Sequence, residues 1–203
     1  MEKKFKRVIP DDINVEDLTP LNISCGSTKC NEGLHCFSLK KTALKKHNSE
    51  RVCHECGADL IEWDRVHKND IKDAKFIFKS MKNELIRHVF WHTTIEQSAI
   101  SFAQSRGKIE LRGKAGKLLK TRIGRHNAYV DGRQTPLAGK EIINYAQHAT
   151  ATCCRKCLEA WHNIPQNRVL SEEQLEYCTN LVMLYITERV PNLKDKGVEV
   201  VNI

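Results

Sequence analysis

Residues 147–162 read Gln147-His-Ala-Thr-Ala-Thr-Cys-Cys-Arg-Lys-Cys-Leu-Glu-Ala-Trp-His162, the densest chemistry in the chain. Cys154 and Cys157 stand at i, i+3, so both thiolates fall on one side of a helical turn and can grip one ion. His148 lies six residues before Cys154, and His162 lies five after Cys157. These four can close on a single metal, with Cys153 as a substitute ligand. The same stretch predicts a short helix over 152–162, which Pro165 keeps from running further. The expected architecture is mainly α with a small Cys-rich, zinc-ribbon-like module and little sheet.

Working outward, Ser171 and Gln174 form a capping box, and Leu175, Cys178, Leu181, Val182 and Tyr185 line one face of the helix that follows. A further helix is expected over 139–148, after a turn in Asp131-Gly-Arg-Gln-Thr-Pro-Leu-Ala-Gly-Lys140. Residues 69–91 read as one long amphipathic helix capped by Asn69 or Asp70. Ile71, Ala74, Phe78, Met81, Leu85 and Val89 recur in it at helical spacing. A second helix covers about 94–105, with Ile95, Ala99, Phe102 and Ala103 inward. Between these helices and the C-terminal part, 106–126 contains Gly107, Gly113 and Gly116 and reads as a loop holding a short helix at 114–122.

The N-terminal half has its own signature, Cys53-His-Glu-Cys56-Gly57. Two thiolates at this spacing grip an ion from a tight turn, and the glycine lets backbone amides face the sulfurs. A structural zinc needs a second pair, which Cys25-x4-Cys30 supplies with Cys36 as the competitor. The 22 residues between Cys30 and Cys53 suit a zinc ribbon or looped finger. His88 and His92 share a helical face, but the spacer Val89-Phe90-Trp91 lacks the Glu of HExxH, and a packing role is preferred. The organisation expected is an extended segment 1–24, a Cys-rich module 25–68, a two-helix segment 69–105, a basic loop 106–126, a helical domain 127–190 with the His/Cys cluster, and a tail 191–203.

Nine cysteines, an odd number, clustered in CxxC pairs with no export signal in the opening MEKKFKRVIPDD, favour metal over disulfides. Zinc at two sites is the expected cofactor, with iron–sulfur left open. No window has the ~18 consecutive apolar residues of a membrane helix, and a cytoplasmic location is expected. The 203 residues carry 33 Lys/Arg against 25 Asp/Glu, a formal charge of +8. Arg106, Lys108, Arg112, Lys114, Lys117, Lys120, Arg122 and Arg125 face only Glu110 in 105–126, so that window holds +7 of it. Such concentrated charge attracts phosphates, and nucleic acid, DNA or RNA, is the expected partner. Lys40, Lys41, Lys45 and Lys46 are candidates to add to these contacts. The window has no aromatic residue for base stacking, and Gly107 to Gly113-Lys114-Ala115 misses both the spacing and the hydroxyl of a P-loop.

The run GRQTPLAG…AQHATATCCRKCLEAWHNIP…LSEEQLEY resembles an uncharacterised bacterial domain family of about a hundred residues, over residues 124–190. The resemblance implies a terminal amphipathic helix and a signature made of His148, Cys154, Cys157, Trp161 and His162, and it implies no activity. Gly139-Lys140-Glu141 departs from the Gly-His-Pro expected after the QTP segment. The leading expectation is a zinc protein binding nucleic acid, alone or in a larger protein assembly. A metal-dependent hydrolase or nuclease is the alternative, with water beside His148, Cys154 and Cys157 and with Glu159 or Asp131 as carboxylate. A nucleobase deaminase needs HxE and PCxxC, whereas Ala149-Thr150 follow His148 and Thr152-Cys153 precede Cys154. A protein–protein adaptor is the third reading.

Overall fold

The computed structural model describes residues 23–125, 135–136 and 141–198. Eight α-helices run through them: α1 Lys41–His47, α2 Trp63–Val66, α3 Ala74–Met81, α4 Leu85–His92, α5 Gln97–Arg122, α6 Ile142–Ala149, α7 Arg155–His162 and α8 Glu172–Arg189. Among the described residues, β pairing is confined to two isolated bridges, Lys29 with Leu34 and His35 with Glu84. The chain is mainly helical, with a Cys-rich module before α3. The segment expected to be extended before residue 23, and most of the turn expected at 131–140, lie outside the described residues.

The core forms where α5 packs along α8 and α6 packs against α4, α5 and α8. On α5 the buried positions are Ala99, Ala103, Gly107, Leu111, Ala115 and Leu119, every fourth residue on one stripe. Their small side chains let α8 approach closely. The α8 face read from the sequence is the buried one, and its capping box is complete, with Ser171 Oγ accepting from Gln174 N at 3.2 Å and Gln174 Oε1 from Ser171 N at 3.0 Å. Arg189 at the far end of α8 closes the C-terminus of α4, donating to Phe90 O at 3.2 Å, to Trp91 O and to Thr93 O at 2.6 Å. Carbonyls left over at a helix end are thereby satisfied by a cation.

Two expected elements differ. The basic stretch is helix: α5 runs through it, interrupted only at Gly107, whose φ of 71° lies in the left-handed region. The interruption frees amides that the C-terminal segment takes up, since Lys108 N donates to Lys194 O (2.9 Å) and Ile109 N to Asp195 O (3.1 Å), while Val198 N donates to Gln104 O (3.0 Å). A Cβ at Gly107 would lie 2.5 Å from Lys196 C, so only glycine fits. The long helix expected over 69–91 is instead a 3-10 turn Ile71–Asp73 followed by α3 and α4, broken at Lys82-Asn83-Glu84. His35 intervenes there, donating its N–H to Asn83 O (2.8 Å) and accepting from Leu85 N (2.9 Å). Helical spacing was right for both halves, and docking of the module explains the break.

Candidate metal centres

Cys30, His35, Cys53 and Cys56 bring their ligand atoms within 4.8 Å of one another. Cys30 opens a 3-10 turn closed by Gly33 in the left-handed region (φ 78°), and the Lys29–Leu34 bridge holds the two ends of this knuckle together. The second arm is the turn at Cys53-x-x-Cys56, where Gly57 N donates to Cys53 O at 2.9 Å. Gly57 has φ +75°, and a Cβ there would lie 2.7 Å from His47 Nδ1. Across the cluster Cys30 Sγ stands 3.7 Å from Cys53 Sγ, and Cys56 Sγ 3.4 Å from His35 Nδ1. Burial pushes the Cys30 thiol up to about 12. Burial acts the same way on Cys53, but hydrogen bonds from His35 and backbone amides outweigh it and bring that thiol down to about 5. Three sulfurs and an imidazole nitrogen form a donor set suited to a closed tetrahedral ion.

Cys153, Cys154 and Cys157 form a second group within the same 4.8 Å limit. Cys154 is the N-cap of α7 and Cys157 lies one turn in, which sets their sulfurs 3.4 Å apart. The buried Arg87 guanidinium donates from Nη2 to Cys157 Sγ at 2.9 Å and from Nη1 to His148 O at 2.6 Å. Its Nε meets Glu84 Oε2 at 3.0 Å, and Glu84 also accepts from Phe37 N (3.0 Å) and Trp161 Nε1 (2.8 Å). Hydrogen bonds from Cys153, Cys154 and Cys25, with Arg87 nearby, hold Cys157 well below the ordinary thiol range. Cys25 stands outside that 4.8 Å group but lines the same cavity as Cys154 and Cys157.

With this geometry in view, the family model described as "Domain of unknown function (DUF4186)" matches residues 75–187. The chain belongs to that family. The DUF4186 match extends the motif-based resemblance toward the N-terminus, taking in α3, α4 and α5, and leaves the first cluster outside it. No solved structure matches the chain.

The residues expected as a signature within the matched range have different fates. Cys154 and Cys157 meet as expected, and Cys153 stands with them in the cluster. His148 and His162 are not brought to the sulfurs. His148 packs on Phe90 with ring centres 4.6 Å apart and its Nε2 meets Pro136 O at 3.0 Å. His162 meets Tyr177 Oη at 3.2 Å and Thr150 O at 3.0 Å. Burial depresses both imidazoles to about 4, so they sit neutral in the core. Trp161 is also buried, 5.3 Å from the Trp63 ring and 6.0 Å from Phe37, which seats the module on α7.

In the module, Cys25 and Cys36 do not join Cys30. Cys36 Sγ instead donates to Cys25 O at 3.1 Å and pairs with Ser38 Oγ. His35 was missed by sequence reading; the Cys30-x4-His35 spacing across Gly33 was the available signal. Glu84 and Arg87 were missed as well, since nothing local distinguishes them from surface charges of an amphipathic helix.

The expected nucleic-acid residues on α5 are largely matched by carboxylates. Arg106 pairs with Glu110 (2.6 Å), Lys108 with Asp195 (3.6 Å), Lys114 with Glu141 (2.7 Å), Lys120 with Glu172 (3.2 Å) and Arg112 with Glu176. Arg122 donates to Asn144 and Gln147. Among the described residues, Lys117 and Arg125 have no acidic partner. A cavity of about 400 Å³ opens beside the second cluster, lined among others by Cys25, Lys40, Cys154, Cys157 and Glu159. Glu159 within it is engaged by Gln166 N at 3.3 Å and by its side chain. No helix among the described residues is long and apolar enough to cross a membrane.

Proposed function

We infer that this chain is a two-zinc protein whose metals hold a nucleic-acid-binding surface in shape. The observation that carries the reading is the convergence of Cys30, His35, Cys53 and Cys56 from two separate turns onto one point. A module with so small an apolar core depends on such an ion for its fold. Zinc suits these donors, being the ion of Cys3His structural sites. The surface the module presents is basic: Lys41 and Lys45 are exposed one turn apart on α1, with Lys46 beside them. Among the described residues Lys41 and Lys45 have no acidic partner, whereas Lys46 is shared with Glu55 at 3.2 Å. Support for phosphate contacts therefore moves from the matched cations of α5 to α1, with Lys117 and Arg125 as auxiliaries.

The test combines metal content with salt-dependent binding. Two zinc ions per chain are expected, Cys56→Ser and Cys154→Ser each losing one. Affinity for DNA or RNA fragments should fall with added salt, and Lys41→Glu with Lys45→Glu should reduce the slope of log K against log salt by about 2, one per phosphate contact. Iron with sulfide would overturn the zinc reading. Binding that ignores salt, or that is absent, would overturn the nucleic-acid reading and leave an adaptor.

A second reading, a metal-dependent hydrolase, is favoured by one observation, the cavity beside Cys154 and Cys157. It requires a coordination position open to water. Its original ligand His148 is occupied elsewhere, so only the three thiols of 153–157 would serve it.

A further inference from the structure

We propose that Cys25 is the fourth sulfur ligand of the second centre, so that a single ion clasps the N-terminal module to the helical domain. This rests on reading Cys153, Cys154 and Cys157 as a metal centre. Three thiols from one five-residue segment leave a tetrahedral ion one ligand short. The two histidines expected to complete it have oxygen partners instead, His148 at Pro136 O and His162 at Tyr177 and Thr150 O. Cys25 is the remaining soft donor beside the cluster, lining the same cavity as Cys154 and Cys157.

The surroundings hold Cys25 in that position. It lies in the turn closed by Ser27 N to Ser24 O at 3.0 Å, and its carbonyl accepts from Cys36 Sγ at 3.1 Å. Gly26 O meets His54 Nε2 at 3.0 Å, which ties the turn to the Cys53–Cys56 knuckle. Cys36 therefore acts as a positioning residue for Cys25. Loading the site converts four thiols to thiolates, Zn2+ plus four RSH giving the dianion Zn(SR)4 and four protons to solvent. Arg87, donating to Cys157 Sγ, offsets part of that charge from within the core. Cys25 and Cys30 are five residues apart, so one short segment feeds both centres, and the second joins a module outside the family match to the CCxxC segment inside it.

X-ray absorption at the zinc edge of the full-length wild-type chain tests this without a mutation. Seven sulfurs and one nitrogen over two ions are expected, the sulfurs at about 2.3 Å; six sulfurs would overturn the assignment. Chelator titration of variants is the second arm. Cys25→Ser should keep the zinc that Cys56→Ser loses, showing that the module still folds, and should yield its other zinc at a chelator concentration at least about tenfold lower than wild type. Cys36→Ser should stay closer to wild type. A Cys25→Ser chain indistinguishable from wild type overturns the proposal while leaving both metal centres standing. A wild-type chain with a single zinc, lost only in Cys56→Ser, overturns the second centre itself.

Discussion

Arg87 and Glu84 are each 2% exposed at the side chain and form the most consequential pair in the molecule. Burial pushes the Glu84 carboxyl up, against the guanidinium beside it. Every oxygen and nitrogen of the pair has a partner, which is what makes a buried ion pair tolerable. Removing one member is therefore costly. Arg87→Met should destabilise the fold by about 3–5 kcal/mol, the cost of leaving Glu84 buried and unpaired. Adding Glu84→Gln to it should recover a large part of that loss. Urea midpoints of the two variants check this, and equal midpoints would show that the charge of Glu84 is not what Arg87 offsets. His148 and His162 make a different residue-scale prediction. Their folded values near 4 lie below the ordinary 6.5, so above 6.5 both states are neutral and stability is full. As pH falls from about 6.5 to 4 the unfolded chain takes up protons first, and up to about 3 kcal/mol per imidazole is lost. Release of a metal held by the thiolates would act in the same direction, so the histidine share is read from His162→Gln, whose unfolding free energy should decline less steeply over this window.

At the scale of elements, α5 depends on a glycine that breaks its own helix. Gly107 turns the backbone so that the C-terminal segment can donate to and accept from the exposed turn on either side. Gly107→Ala meets both an unfavourable φ and the backbone of Lys196, and should cost about 2 kcal/mol or more. Hydrogen exchange should show residues 194–198 losing protection first; unchanged protection there would mean that the segment is held by other contacts. The pairing of α5 with α8 shows what a linear charge count leaves out. Glu172 and Glu176 are more than fifty residues away in sequence from the cations they meet. Surface pairs of this kind contribute at most ~1 kcal/mol each to stability, and each sets a carboxylate beside a cation that the local count left unmatched.

For the whole molecule, an aromatic contact and the His35–Glu84 bridge join the Cys-rich module to the helical domain. Phe37 meets Trp161 edge to face and Trp63 lies tilted against it, while Glu84 accepts from Phe37 N. If the two clusters hold metal as proposed, stripping it with chelator should unfold the Cys-rich module and loosen α7, while α5, α6 and α8, packed through apolar residues, keep their helicity. Far-ultraviolet circular dichroism with exchange mapping distinguishes this from global unfolding, which would show that the helical core also needs the metal.

Helices were legible in the chain because their signals are local: the Ser171–Gln174 box marked the start of α8, and the recurrence of apolar residues marked its buried face. So was the likelihood of metal, since CxxC at Cys53–Cys56 and Cys154–Cys157 is a property of one turn each. What distance alone decided was the sorting of ligands. Cys25 lies nearer in sequence to Cys30 than to Cys154, and only the folded chain sets it on the same cavity as Cys154 and Cys157. His35 acquires its role because the bridge to Glu84 fixes the knuckle in place, and His148 and His162 lose theirs to carbonyls brought in from other segments. Periodicity and spacing describe a few residues at a time, whereas coordination and charge pairing are settled by whichever groups the packed core brings within a few ångströms.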